Sequence, residues 1–162
     1  MITFKKFLEE SSLARIKSKS DKGGMATMSA SRAGKSAKEN SARAKQLDRD
    51  IKGKGLPGAT KVTGSYMEKD KKTGEEKKVK ERSHVVTSGK MGKRKFKKTV
   101  KALGKKYGQD SVLTQTKKTG TLHRTRKGGL DKKGENVGKF QPQGKNPYGQ
   151  SQIKGKTFAY NK

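Results

Sequence analysis

The residues with the clearest potential for chemistry form a basic run between residues 91 and 107. Apolar residues recur there at helical spacing, which predicts an amphipathic helix with one buried stripe. The stripe consists of Phe96, Val100, Leu103 and Tyr107. Every charged residue around it is basic: Lys93, Arg94, Lys95, Lys97, Lys98, Lys101, Lys105 and Lys106. Ordinary solvated faces mix acidic and basic side chains, so this face predicts phosphate binding, with a merely solvated surface as the alternative.

Composition extends this interpretation to the whole chain. The 162 residues include 43 Lys and Arg against 14 Asp and Glu, which gives a net charge of +29. Such an imbalance favours a polyanionic partner, because the chain otherwise repels itself. Lysines outnumber arginines, which favours contact with phosphates over the reading of base edges. We therefore expect non-specific binding of nucleic acid, with double-stranded DNA as the first candidate. A membrane partner is not expected, since no apolar run approaches the roughly 20 residues that span a bilayer.

The segment from residue 115 onward is a second basic region. It has 12 basic and 2 acidic residues among many Gly, Thr, Asn and Gln. Its candidate phosphate contacts are Arg124, Arg126 and Lys127. Isolated aromatic residues follow at Phe140, Tyr148, Phe158 and Tyr160. These rings could stack on unpaired bases or dock on a folded core, and the sequence leaves both readings open.

Residues typical of catalysis or metal binding are sparse. Cysteine is absent, and His84 and His123 are isolated, whereas a zinc site usually needs three or four ligands. Six polar residues could line a cleft or could serve as turn and cap residues. They are Ser31, Arg32, Glu81, Ser83, Gln109 and Asp110. We expect no catalytic residues, no metal and no cofactor, and we expect that the chain is not an enzyme.

The apolar periodicity predicts an α+β fold: a small domain in the order strand, helix, hairpin, helix, strand, after an amphipathic N-terminal leader helix over 1–17. Ser36 and Glu39 form a capping box that starts the first helix of the domain, and Gly53 ends it. Predicted strands cover 26–31, 61–67, 79–87 and 111–114, with short strands at 137–141 and 156–160 in a largely irregular tail. The chain then divides into a leader at 1–10, a linker at 11–25, the domain at 26–114 and the basic tail at 115–162.

The first ten residues resemble the capsid-targeting sequence of T-even phage internal proteins. The matching positions are Thr3, Phe4, Phe7, Leu8 and Glu10. Ile2 and Lys6 depart from the pattern of that family. The resemblance implies packaging into the phage head and cleavage after Glu10 by a prohead protease.

A second resemblance covers residues 28–113, which are similar to a small domain of unknown function found in bacteria and their phages. The motifs that carry it keep their order along the chain. They are Ser29-Ala30-Ser31-Arg32, Glu39-Asn40, Arg43, Gly64-x-Tyr66, Glu81-x-Ser83, Val86 and Lys105 to Val112. This resemblance implies a folded α+β core but no particular chemistry.

Together these observations lead to one functional hypothesis and several rivals. We expect a phage-encoded basic protein that binds nucleic acid through phosphates and is packaged with DNA in the head interior. Its further partners would be the phage scaffold, the prohead protease or a host enzyme, and host cytoplasm would be its location after synthesis or injection. The alternatives are an RNA- or ribosome-associated basic protein and an inhibitor of a host defence enzyme. An enzyme acting on nucleic acid is the last option.

Overall fold

A computed structural model describes residues 4–70, 72–125, 134–142, 149–153 and 156–161. These ranges contain three helices: α1 (Phe4–Lys22), α2 (Ala37–Gly53) and α3 (Lys93–Lys106). They also contain eight strands. In chain order these are β1 (Met25–Met28), β2 (Thr60–Lys69), β3 (Glu76–Thr87), β4 (Ser111–Gln115), β5 (Gly120–Arg124), β6 (Glu135–Pro142), β7 (Gly149–Ile153) and β8 (Lys156–Asn161).

The strands form one antiparallel sheet that closes on itself. Their spatial order is β1-β3-β2-β7-β8-β6-β5-β4, and β4 pairs with β1 to complete the circuit. Met25 of β1 lies opposite Thr87 of β3 on one side and Gln115 of β4 on the other. β1 is much shorter than β3, so it pairs only with residues 84–87 and leaves residues 76–83 beyond its end.

The two faces of the sheet carry separate apolar clusters, because neighbouring side chains on a strand point to opposite faces. The outer face packs under α2 and α3. Its cluster includes Met28, Val86, Leu47, Ile51, Phe96, Val100 and Leu103. The inner face packs around residues from α1 and from the end of the chain. Its cluster consists of Leu13, Ile16, Met25, Val62, Val85, Phe140 and Phe158.

The α+β class is confirmed, and so are the elements that local signals specify. Both hydrogen bonds of the capping box form: Glu39 N donates to Ser36 Oγ at 3.2 Å and Ser36 N donates to Glu39 Oε2 at 2.8 Å. All four stripe residues of α3 are buried. The hairpin is formed by β2 and β3 as predicted, with each strand longer than expected.

The structure differs from the expectation at both ends of the chain. Residues after Gln115 contribute four strands rather than a largely irregular tail, and two of these lie close to the short strands expected at 137–141 and 156–160. At the other end, α1 continues to Lys22 through most of the segment expected to be a linker. Leu13 and Ile16, which lie within the helix expected over 1–17, hold α1 against the sheet because both are buried in the inner cluster.

Candidate functional site

The loop that follows β1 is tied to the part of β3 that β1 leaves unpaired. Ser29 Oγ donates a hydrogen bond of 2.8 Å to the main-chain oxygen of Arg82. Ser31 N in turn donates to Ser29 Oγ at 3.1 Å. We call residues 29–32 the Ser-Arg loop. Its first residue therefore lies beside the Glu81–Ser83 segment.

Helix α2 holds the same loop from a second direction. Arg43 Nε donates to the main-chain oxygen of Ala30 at 2.7 Å. Asn40 forms a two-way pair with the backbone of Arg32: its Oδ1 accepts from Arg32 N at 2.9 Å, and its Nδ2 donates to Arg32 O at 3.2 Å. Two residues of α2 thus bond to the backbone of the loop, Arg43 at its second position and Asn40 at its fourth.

The segment after α3 holds the Ser-Arg loop from a third element. Gln109 Nε2 donates to Ser31 O at 3.1 Å, and Arg32 Nη1 donates to Gly108 O at 2.5 Å. Arg32 also lies 4.0 Å from the carboxylate of Asp110. Residues separated by more than 70 positions in sequence therefore meet at one place. Of the six polar residues predicted to line a cleft, four make these direct contacts: Ser31, Arg32, Gln109 and Asp110.

The remaining two, Glu81 and Ser83, lie on the inner face of the closed sheet. Val85 belongs to the inner cluster, and strand alternation places Ser83 and then Glu81 on the same face toward the open end. Both side chains are partly buried. Glu81 lies opposite Gly64 of β2, which has no side chain to cover it. A carboxylate therefore stands just outside an apolar cluster, opposite a residue that has no side chain.

Several other carboxylates serve local structure. Asp21 pairs with Lys17 at 3.0 Å on α1. Glu39 caps α2, and its hydrogen bonds from Ser36 hold the pKa of its carboxyl below the usual value. Asp70 accepts hydrogen bonds from backbone N–H groups in the β2–β3 turn, which likewise lower its pKa. Each of these groups has a role that the local fold explains.

Two further carboxylates connect α2 to its neighbours. Asp50 accepts from Lys106 Nζ at 2.7 Å and from the Tyr107 hydroxyl at 2.6 Å, and these bonds lower the pKa of Asp50. Asp48 lies 3.3 Å from Lys61 Nζ and 3.2 Å from His84 Nε2. Glu81 differs from these groups in its position, because it is partly buried on the inner face of the sheet.

Both histidines are buried between elements. Burial lowers the pKa of His84, and the nearby Asp48 carboxylate opposes that shift. His123 shares a hydrogen bond of 2.7 Å with Thr114 Oγ1, and burial lowers its pKa to about 4, with the charges of Lys97 and Lys101 adding to the shift. Across the described ranges, no group of three or more His, Cys, Asp or Glu residues could hold a metal ion.

The predicted nucleic-acid-binding residues lie mostly on the outer surface of α3. Exposed members are Lys93, Arg94, Lys95, Lys97, Lys98, Lys105 and Lys106, and Lys101 is partly buried. Lys106 is engaged with Asp50, while Arg124 is exposed at the end of β5. Arg126 and Lys127 lie outside the described residues. None of these positions contacts the Ser-Arg loop through a hydrogen bond in the described structure.

The predicted leader residues fall at the start of α1 or before it. Thr3 lies outside the described residues. The backbone of Phe4, Phe7, Leu8 and Glu10 belongs to α1, and only the backbone is described there. In the described parts of the chain, no helix is long and apolar enough to cross a membrane.

Asn40 and Arg43 are central to this region in the structure, although neither is among the predicted site residues. Both belong to the motifs of the second resemblance. The signal that could have found them is their spacing, since they lie one helical turn apart on the polar side of α2. Both side chains reach the Ser-Arg loop.

Comparison with known proteins links this architecture to one family. The model of the S-adenosylmethionine lyase family matches residues 26–161. Among solved structures, a phage SAM lyase in complex with S-methyl-5′-thioadenosine is similar at 18% identity, with 71% of this chain and 89% of that chain covered and a TM-score of 0.37. A comparison with curated proteins finds no significant match. The family match spans the Ser-Arg loop, the Glu81–Ser83 segment and the residues after α3.

The family match overturns the function predicted from charge. The expectation of a non-enzymatic protein that binds DNA is wrong, because the matched family consists of lyases that act on a small molecule. The expected head interior, scaffold and prohead protease are wrong for the same reason, and so are the RNA-associated and inhibitor alternatives. Net charge describes long-range attraction averaged over the surface. Net charge does not reveal a compact cluster of polar residues that long-range contacts bring together. The chemistry on a small molecule depends on such a local site.

Proposed function

Because the chain belongs to the S-adenosylmethionine lyase family, we propose that it is an enzyme that breaks a carbon–sulfur bond of S-adenosylmethionine. The match over residues 26–161 is the observation that carries this proposal, since it includes every segment of the candidate site. The bond broken is the one between the sulfonium and the amino-acid chain. The products are S-methyl-5′-thioadenosine and an amino-acid fragment.

The chemistry places few demands on proton transfer. The electron pair of the broken bond stays on sulfur, so the sulfonium becomes a neutral thioether and needs no general acid to leave. No water enters a lyase reaction: as the carbon–sulfur bond breaks, a carboxylate oxygen of the substrate bonds to the carbon that loses sulfur, so the amino-acid fragment closes to a lactone and no proton is transferred. The protein must therefore bind a cation, orient it and exclude water.

Glu81 is the group that we assign to the cationic part of the substrate. Its side chain is partly buried on the inner face, so a charge beside it interacts more strongly than it would in water. Gly64 opposite adds no side chain to this face, and the neighbouring apolar cluster limits access of water. The substrate carries a sulfonium and an ammonium but only one carboxylate, so its net charge is positive. A carboxylate in the site would neutralise that charge.

We also propose that the chain is phage-encoded, in line with the similarity of residues 28–113 to a domain found in bacteria and their phages. S-adenosylmethionine is a metabolite of the cell interior, so the enzyme would act in the cytoplasm of the infected cell. Its consumption would lower the supply of methyl groups to methyltransferases there.

The test is a turnover assay on the full-length protein with matched variants on one strand. Purified protein is mixed with S-adenosylmethionine, and the products are separated and identified by mass spectrometry. We expect S-methyl-5′-thioadenosine to appear at a rate that Glu81→Gln lowers by about a hundredfold, the usual scale for the loss of one electrostatic group in a site. Glu76→Gln is the control, because Glu76 is exposed on the same strand.

Two results would count against the proposal in different ways. A protein that leaves S-adenosylmethionine intact would refute the lyase activity. A Glu81→Gln variant that turns over substrate like the Glu76→Gln control would keep the activity and remove Glu81 from the site. Thermal unfolding of both variants checks that each one is folded during the assay.

A further inference from the structure

Arg43 makes an unusual set of contacts for a charged side chain. Its Nε donates to Ala30 O at 2.7 Å and its Nη2 donates to Tyr107 O at 2.6 Å. Its guanidinium also lies over the ring of Tyr107, 5.5 Å from the centroid. Among the described residues no carboxylate forms an ion pair with Arg43. The planar guanidinium group donates from two nitrogens to main-chain carbonyls of two different elements, which a lysine could not do in the same geometry.

Gln109 repeats this arrangement one residue further along the loop. Its Nε2 donates to Ser31 O at 3.1 Å. The backbone of Gln109 is itself fixed, because its N donates to Gly104 O at 2.9 Å and its carbonyl accepts from Thr125 Oγ1. Two successive carbonyls of the Ser-Arg loop are therefore held by two side chains from different elements, α2 and the segment after α3.

These bonds are not needed to join the two helices. α2 and α3 already pack on the outer face through buried apolar residues such as Leu47, Ile51, Phe96 and Val100, each no more than 3% exposed. Burial of that size dominates the free energy of folding, whereas a single hydrogen bond contributes about 1 kcal/mol. What the two bonds do fix is the path of an irregular loop that lies against β3 beside Glu81.

We propose that Arg43 and Gln109 are positioning residues that hold the Ala30–Ser31 segment in place to form one wall of the substrate site. This inference rests on the proposed lyase function. The held loop and Glu81 are neighbours through the Ser29–Arg82 hydrogen bond, so a shift of the loop changes the space beside Glu81. Sites of this kind work when the supporting side chains keep the contact residues within about 0.5 Å of the productive geometry.

The test measures KM and kcat separately for two conservative variants. Arg43→Lys keeps the positive charge but loses the planar guanidinium group. Gln109→Met keeps the side-chain volume but loses the N–H donor to Ser31 O. We expect each to raise KM for S-adenosylmethionine by about tenfold, the scale of a charge-assisted or well-formed hydrogen bond, with kcat within about threefold of the wild type. Arg49→Lys is the control for Arg43, since Arg49 is exposed on the same helix and bonds only to Gln46.

A double-mutant cycle sharpens the result. If both residues hold one loop, loss of either one frees it, so the double variant should raise KM by much less than the product of the single effects. The proposal is overturned if both variants keep the KM of Arg49→Lys. It is also overturned if kcat and the unfolding midpoint fall together with KM unchanged, since that pattern marks a purely structural role. A wild-type protein without turnover would refute the lyase function itself, whereas an active wild type with indifferent variants refutes only this inference.

Discussion

The Tyr160 hydroxyl donates a hydrogen bond of 2.5 Å to Oε1 of Gln115, which joins the last strand of the chain to β4 across 45 residues. Tyr160 also packs edge-on against Phe140, with ring centroids 5.9 Å apart. Burial raises the pKa of the Tyr160 hydroxyl, so the group stays protonated and able to donate at neutral pH. Phe140, Phe158 and Tyr160 therefore belong to the interior of the closed sheet, whereas Tyr148 lies outside the described residues.

Removal of the Phe158 ring tests whether this end of the chain is part of the fold. Phe158 is 2% exposed and packs against Phe140 at a centroid distance of 5.2 Å. We expect Phe158→Ala to lower the free energy of unfolding by about 3 to 5 kcal/mol, measured by urea denaturation. Lys139→Ala on β6 is the exposed control and should change it by less than about 0.5 kcal/mol.

Limited proteolysis of the wild-type protein complements that measurement. The division of the chain into a domain at 26–114 and a separate tail predicts early loss of everything after Gln115. The pairing of β4 with β5 and of β6 with β8 instead makes us expect a resistant fragment that extends to β8. A stable fragment that ends near residue 114 would show that the tail is dispensable.

Gly120 shows why the tail was hard to interpret from its sequence. A Cβ atom at this position would lie 2.8 Å from the ring of Tyr160, too close for any real contact. Glycine in this segment thus reflects close packing against an aromatic ring as well as loop flexibility, and sequence alone does not separate the two. Local signals did succeed elsewhere: Ser36 and Glu39 cap α2 through contacts within a single turn.

The candidate site was predictable only in part, because its contacts join residues that are far apart in the sequence. The polar residues predicted for a possible cleft are Ser31, Arg32, Glu81, Ser83, Gln109 and Asp110. Four of them meet through contacts such as Arg32 with Gly108, which join residues 76 positions apart. No periodicity or spacing encodes a contact of that range. The charge of +29, by contrast, was visible at once and led to the wrong functional class.

Substitution of Gly120 gives a direct measure of this packing. We expect Gly120→Ala to lower the free energy of unfolding by about 1 to 3 kcal/mol, because the added methyl group must displace the Tyr160 ring. Gly53→Ala is the matched control: no atom lies within 4 Å of its added Cβ, and it sits at the end of α2. That variant should be neutral or slightly stabilising. Equal effects at the two positions would contradict the packing argument.

The low pKa of His123 should make stability depend on pH. Its pKa is about 4 in the folded protein, against 6.5 ordinarily, mainly because the ring is buried. Between these values the unfolded chain binds the extra proton. The stabilising contribution is therefore complete above about pH 6.5 and is lost as the pH falls toward 4, by up to about 1.4 kcal/mol per pH unit. Urea denaturation at several pH values should show that slope, and His123→Gln should reduce it.

Two pairs of lysines on α3 test the cause of the low pKa of His123. Lys97 and Lys101 both lower the pKa of His123. Replacing both by Gln should raise that pKa, and the NMR titration of the imidazole should move to higher pH. Replacing Lys95 and Lys98 removes the same charge from the same helix at positions that do not contribute. A titration near pH 6.5 in the wild-type protein would show that the ring is not buried as described.

Salt should favour the proposed reaction. A protein of net charge +29 repels a substrate that carries two cationic groups and one carboxylate, so encounter is slowed at low ionic strength. Added salt screens that repulsion, since the Debye length falls from about 30 Å at 0.01 M to about 10 Å at 0.1 M. We expect kcat/KM for S-adenosylmethionine to rise by about two- to tenfold over this range. The control is inhibition by S-methyl-5′-thioadenosine, which is uncharged and should respond little to salt.

Replacing Lys93, Arg94, Lys97 and Lys98 by Gln should flatten the salt dependence of kcat/KM while leaving the Ser-Arg loop untouched. A kcat/KM that falls as salt is added would mean that attraction by the carboxylate near the site outweighs the repulsion by the rest of the protein.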